Sequence, residues 1–220
     1  MPLRRPALPR REPWPPGVLA RPDAGVVALF GTGGQALAQL RALREVRPLT
    51  EVRVWSRTRE RAETFVAAAD LPGLTLRAVP DGRSACEDAY IVLTVTPAEE
   101  PIIWRQWIAP GTPINAVGSD APGKQELDPQ LVAAAKLVVD RRTQSLTIGE
   151  MQQLVARHFL RPEHIHAELG EVCAGLKPGR ESPQEVTVFD STGVSFQDTA
   201  LAGHLLRLAG QRHLGEMVSL

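Results

Sequence analysis

The sequence predicts an α/β fold: a doubly wound, mostly parallel sheet with helices on both faces, closed by a C-terminal helix. Three observations predict it. Short apolar runs alternate with helical patterns almost throughout the chain. At the first strand-to-helix junction, Phe30-Gly31-Thr32-Gly33-Gly34-Gln35-Ala36 spells G-x-G-x-x-A. The ends of the successive strands carry small and polar residues, and in such sheets ligands sit at the carboxyl ends, near the topological switch point.

Each element has a local reason. Val26-Val27-Ala28-Leu29-Phe30 is an apolar first strand, and residues 36–43 carry a helical pattern. Between them Gly31 permits a tight turn, Gly33 lets the backbone approach a pyrophosphate, and Ala36 is small enough for close packing of helix on strand. The helix start would offer free N–H groups and a positive dipole end to phosphates. This is the dinucleotide-binding, or Rossmann, pattern. Residues 51–56 alternate and form a second strand, and residues 59–69 a helix with Thr58 as its N-cap. Residues 74–79 make a third strand and residues 81–88 a helical turn. Residues 90–96, bounded by Pro97, read as a buried parallel strand. Trp104 and Trp107 fall in a short segment after it. Strands are expected at residues 113–118, 137–140 and 186–189, and helices at 127–135, 146–158, 165–174 and 196–209. The strand ends, Phe30 to Gly33, Ser56 to Thr58, Thr94, Val95 and Thr96, Val117 to Asp120, and Asp190 to Gly193, should line one crevice.

Bulk properties narrow the classes. With 220 residues the chain fits one large domain, or one domain with an appendage, and its net charge of +0 gives no pull toward nucleic acid or anionic membrane. Cys86 and Cys173 form no framework and no C-x-x-C, which suits a reducing cytoplasm. No apolar run approaches the ~18 residues of a membrane span. Residues 1–22 are crowded with Pro and Arg and read as disordered. They lack the Ser-rich amphipathic pattern of a transit peptide. Residues 23–193 form the dinucleotide-binding domain, and residues 194–220 the terminal helix. The five histidines show no metal spacing and read as helix-face residues. Lys124 follows Gly123 without a G-x-x-x-x-G-K-[ST], so no triphosphate-binding loop is implied.

The second strand ends in Ser56-Arg57-Thr58, with no carboxylate to bind a ribose 2′-OH or to repel a 2′-phosphate. Arg57 can fork onto that phosphate, with Ser56 and Thr58 as hydroxyl donors, which favours NADP(H) over NAD(H). The other reading of the same three residues is a solvated loop charge with a cap for the next helix.

Further segments carry a family resemblance. Residues 115–127, Asn-Ala-Val-Gly-Ser-Asp-Ala-Pro-Gly-Lys-Gln-Glu-Leu, closely resemble a signature of the ornithine cyclodeaminase/mu-crystallin family. So do Gly149-Glu150-Met151-Gln152-Gln153, Glu168-Leu169-Gly170-Glu171-Val172 and Thr187-Val188-Phe189-Asp190-Ser191-Thr192-Gly193. Trp55-Ser56-Arg57-Thr58 looks like the second-strand end of NADP-linked members. The resemblance runs over about residues 18–210.

It implies hydride transfer between a nicotinamide and the amine- or imine-bearing carbon beside a carboxylate. Family members reduce Δ1-pyrroline-2-carboxylate and other cyclic imines, or convert ornithine to proline with loss of ammonia. It implies that Asp120 acts as acid/base at the reacting nitrogen, that Thr94 and Thr96 lie against the cofactor ribose, and that Ser191, Thr192 and Gly193 lie near the nicotinamide. Read without it, Asp120 is a turn residue ahead of Ala121-Pro122-Gly123. Gln152 and Gln153 read as packing or capping residues. The family also implies a preceding substrate and dimerisation domain, for which residues 1–23 leave no room. The expectation is therefore a cofactor-binding half without turnover on its own, lacking most of a homodimer interface. The other reading is a non-enzymatic NADP(H)-binding or sensing module of mu-crystallin type. Leu201, Leu205, Leu206 and Leu208 on the terminal helix would lose their packing partner.

Overall fold

The computed structural model describes residues 19–20 and 25–216. Eight strands form one sheet in the order β3-β2-β1-β4-β5-β8-β6-β7. They are β1 (Val26–Phe30), β2 (Glu51–Trp55), β3 (Thr75–Ala78), β4 (Ile91–Thr94), β5 (Pro113–Ala116), β6 (Lys136–Val139), β7 (Ile165–Glu168) and β8 (Thr187–Asp190). Every pairing among them is parallel. The helices are α1 (Gly34–Val46), α2 (Arg59–Ala68), α3 (Gly82–Cys86), α4 (Pro129–Ala134), α5 (Arg142–Ser145), α6 (Met151–Ala156), α7 (Leu169–Cys173) and α8 (Ser195–Arg212). The chain leaves β1 toward β2 on one side and reaches β4 on the other. The switch point therefore lies between β1 and β4, and ligands are expected above their carboxyl ends.

Side-chain alternation divides the core into layers. Val27 and Leu29 of β1 pack with Val52, Val54, Ile91 and Leu93 under α1 and α2. Ala28 and Phe30 point the other way, into a cluster with Val92, Ile114, Leu137 and Val188. The far half of the first face is filled by Leu19, Val138, Ala167, Val172 and Phe189. The Pro/Arg-rich opening lies outside the described residues except for Leu19 and Ala20, and both of these are buried. The Leu19 carbonyl accepts from Arg180 Nε at 2.7 Å and from Thr187 Oγ1 at 3.2 Å.

Several expected boundaries shift. The expected helix over residues 165–174 is a strand followed by a short helix. Ile165 and Ala167 are buried and His166 and Glu168 half-buried, a period of two that lets β7 pair with β6. Glu168 then caps α7 in a reciprocal box with Glu171, which stops the strand and starts the helix at one residue. The expected helix over residues 146–158 is broken. α5 ends at Ser145, Gly149 backs onto Asp190, and α6 begins only at Met151. α4 is shorter than expected because Asp128 caps it, its side chain accepting from the Gln130 N–H with Pro129 at the first turn. The histidines are not helix-face residues as a group. His166 is on β7, His158 and His213 adopt left-handed turn conformations, and His164 sits in the short 3₁₀ turn Pro162–His164. Among the described residues, no group of three or more His, Cys, Asp or Glu could hold a metal ion. None of their helices is long and apolar enough to cross a membrane.

Helix α8 buries none of its side chains fully, and Phe196, Leu201, Leu205 and Leu206 are exposed along it. Arg141 lies over the Phe196 ring at 6.0 Å, at the base of this helix.

Candidate functional site

The turn after β1 is shaped for a close approach. Gly31 has φ of 100°, and a Cβ there would lie 2.6 Å from the Val95 carbonyl, so only glycine fits. Gly33 is the N-cap of α1, with extended backbone, no side-chain cap and no acidic residue in the first turn. A Cβ on Gly33 or Gly34 would meet nothing within 4 Å. The helix start is thus bare, faces open space, and leaves its first N–H groups available to an anion. Ala36, fully buried, lets α1 settle on the sheet.

A crevice opens in front of this turn, lined by Gly33, Gly34, Gln35, Val95, Thr96, Val117, Gly118, Asp120 and Lys124, with Pro97. The ends of β1, β4 and β5 thus meet at the switch point. Two expected groups lie beside it. Ser56, Arg57 and Thr58 stand at the end of β2, with Arg57 and Thr58 exposed. Ser191, Thr192 and Gly193 follow β8, one strand beyond β5, where the Ser191 N–H donates to the Ala116 carbonyl at 2.8 Å.

Thr94 and Thr96 do not turn their hydroxyls to the crevice. Both donate to Glu126 Oε1, at 2.5 and 2.6 Å, and Thr94 is fully buried. The Thr96 methyl instead stands where a side chain on Gly31 would be, 3.0 Å from that Cβ position. Asp120 is exposed and pairs with Lys124 Nζ at 2.5 Å. Its loop is held from α6. Gln152 Oε1 accepts from the Gly123 N–H at 2.9 Å, and its amide donates to the Ala121 and Lys124 carbonyls, each at 3.2 Å. Gln153 donates to the Gly123 carbonyl at 2.9 Å. The two glutamines hold a loop, which fits the packing role read from the sequence.

Sequence reasoning missed the buried carboxylates behind the crevice. Glu126 accepts from both threonine hydroxyls, from the Thr96 N–H at 2.7 Å and from the Gly118 N–H at 2.8 Å. Burial raises its carboxyl above the usual range, against the opposing effect of those donors. Glu150 accepts from Ser119 Oγ at 2.5 Å and from the Glu126 and Leu127 N–H groups at 2.9 and 3.1 Å. Asp140 accepts from the Thr192 and Gly193 N–H groups, both at 2.7 Å, and from Thr192 Oγ1 at 2.7 Å. Carboxylates therefore join the ends of β4, β5, β6 and β8 into one rim. Lys124, set aside in the sequence for want of a phosphate motif, is the cation of the crevice mouth among the lining residues.

Residues 17–207 match the model of the ornithine cyclodeaminase/mu-crystallin family. The chain is 39% identical over 201 residues to an alanine dehydrogenase of Archaeoglobus fulgidus, covering 91% of this chain and 62% of that protein. Among solved structures it resembles an archaeal alanine dehydrogenase dimer with bound NAD, at TM-score 0.89 and 37% identity, over 94% of this chain and 64% of that one. It also resembles Thermococcus litoralis Δ1-pyrroline-2-carboxylate reductase in complex with NADH and L-proline, at TM-score 0.88 and 33% identity, over 93% and 64% of the two chains. The chain thus spans less than two thirds of these relatives.

Proposed function

Since the chain belongs to the ornithine cyclodeaminase/mu-crystallin family, we propose that its crevice binds a nicotinamide dinucleotide. We infer that it serves an oxidoreductase acting on a small amino or imino acid. The observation that carries this reading is the bare start of α1 behind Gly33 and Gly34, at the switch point of a parallel sheet. The residues fit the cofactor. Gly31 turns the chain, Gly33 and Gly34 leave room for the pyrophosphate, and the first N–H groups of α1 would hold it. The bound nicotinamide would give or take the hydride.

The chain's own residues would do the rest. The Asp120 carboxylate, at the crevice mouth, would exchange the proton that accompanies the hydride at the substrate nitrogen. Lys124 would hold that carboxylate in place through their ion pair. The substrates proposed are Δ1-pyrroline-2-carboxylate, reduced to proline, and ornithine, cyclised to proline with loss of ammonia. Two solved relatives hold NAD or NADH, which supports the dinucleotide and not a choice between its forms. We place NADP(H) ahead of NAD(H) because the end of β2 carries Arg57 between two hydroxyl residues and no acidic group.

Gly33→Ala separates this reading from a structural glycine turn. An Ala N-cap costs about 1 kcal/mol, so Tm should fall by roughly 2–4 °C. The new methyl occupies the open space of the cradle, so NADH and NADPH affinity, read by fluorescence titration, should fall at least about tenfold. Unchanged affinity removes the assignment. Arg57→Ala should weaken NADPH about tenfold more than NADH. Equal losses mean that Arg57 does not read the 2′-phosphate.

A further inference from the structure

Asp190 ends β8 and is fully buried beneath the crevice. Its Oδ2 accepts from Ser145 Oγ and from the Glu150 N–H, the latter at 3.1 Å. Its Oδ1 is buried and has no hydrogen-bond partner. The neighbouring carboxylates are better supplied. Glu126 and Asp140 each accept four hydrogen bonds, and Glu150 accepts three. The charged groups acting on Asp190, Asp140 from β6 and Glu126 from the loop after β5, are both acidic. Glu150, at the start of α6, feels Asp190 and Glu126 in the same sense. β5 contributes the apolar Ala116, paired with Asp190 in register. The arginines at the start of α5 are turned to the β7–α7 end, where Arg141, its N-cap, pairs with Glu168 and Arg142 with Glu171. A buried carboxylate with one bare oxygen and only negative neighbours is the place where a proton costs least to keep.

We propose that Asp190 is a positioning residue that holds the crevice in shape as a neutral carboxylic acid, so that dinucleotide affinity is set by a proton outside the binding contacts. The links are direct. Asp190 fixes Ser145 and the Glu150 N–H; Glu150 fixes Ser119, Glu126 and Leu127; Glu126 fixes Thr96 and Gly118, which line the crevice. Ionising Asp190 adds a further charge to this dry rim and drives its carboxylates apart. Burial, reinforced by the like charges, pushes Asp190 up to about 7 and Glu150 up to about 8. The unfolded chain loses the Asp190 proton near pH 4 and the folded chain near pH 7. Between these values the folded state holds the extra proton, so its stability falls as pH rises and levels off above.

This rests on the dinucleotide reading for its ligand but not for its proton, and the experiment separates the two. Tm and NADH or NADPH affinity are measured across about pH 5–8.5 for the full chain, Asp190→Asn and Ser145→Ala. Asparagine copies the neutral acid. The wild type should lose roughly 10 °C of Tm between pH 5 and 7, from the Asp190 and Glu150 protons together, and Asp190→Asn no more than about half of that. Wild-type affinity should drop about tenfold between pH 6 and 8.5, and that of Asp190→Asn less than twofold. Ser145→Ala removes a bond that favours the charged form, so the affinity midpoint should move to higher pH. Parallel pH curves for wild type and Asp190→Asn overturn the proposal. If Asp190→Asn does not fold, an unmoved Ser145→Ala midpoint in Tm or affinity overturns it. If none of the three proteins binds a dinucleotide at any pH, the functional reading falls and the Tm curves alone decide the proton.

Discussion

Gly118→Ala should be among the most damaging single-methyl changes in the chain, lowering stability by about 3 kcal/mol or more and Tm by roughly 10 °C. A Cβ at this position would lie 2.1 Å from the Thr96 carbonyl oxygen and 2.5 Å from the Glu126 carboxyl carbon. Neither neighbour can give way. Thr96 continues the backbone of β4, and Glu126 is pinned by donors from two loops. The contrast with Gly33→Ala, where the methyl meets open space, makes the pair a calibrated test. Urea or thermal unfolding of both variants should give losses differing by more than about 2 kcal/mol. Similar losses would mean that the β4–β5 rim is looser than its geometry shows.

Glu126→Ala should cost about 3–5 kcal/mol, although it removes a carboxyl that burial already penalises. The loss comes from what remains. The N–H groups of Thr96 and Gly118 and the hydroxyls of Thr94 and Thr96 all face the vacated place. Each stranded buried donor costs roughly 1–3 kcal/mol, less where a hydroxyl can rotate to another acceptor. Glu126→Gln should recover part of this. Its oxygen can serve the three donors on Oε1, while its amide would oppose the Gly118 N–H. Chemical denaturation should therefore rank wild type above Gln and Gln above Ala. A Gln variant as stable as wild type would show that the carboxylate charge does nothing for the rim.

Much of the fold was legible because its signals are local. The turn from β1 to α1 is written in seven consecutive residues, and Gly31 and Ala36 have the steric tasks that their places in the motif assign. The apolar runs at β4, β5 and β8 were equally plain, since strands covered on both faces need no polar alternation. β7 was not, because four residues hold too little pattern to outweigh the helix that follows them. Its alternation, Ile165-His166-Ala167-Glu168, and the glutamate spacing of the capping box were the available signals. The carboxylate rim had no local signal at all. Glu150 reaches Glu126 across 24 residues of sequence, and Asp190 reaches the Glu150 backbone across 40. Only the sheet order brings them together. The threonines of β4 illustrate the same limit: the sequence placed them at the crevice, but the hidden Glu126 decides where their hydroxyls point.

The strand order has a temporal meaning. β8 lies between β5 and β6, so two strands separated by about twenty residues of sequence wait for a third about fifty residues further on. On the ribosome, β1 to β4 can assemble as they emerge, but β5 keeps an open edge, and β6 and β7 have no sheet to join until residues 187–190 leave the exit tunnel. The same late strand carries Asp190. The last part of the sheet to arrive is thus the one that closes the rim of carboxylates, behind a crevice whose lining residues, none later than Lys124, have already emerged.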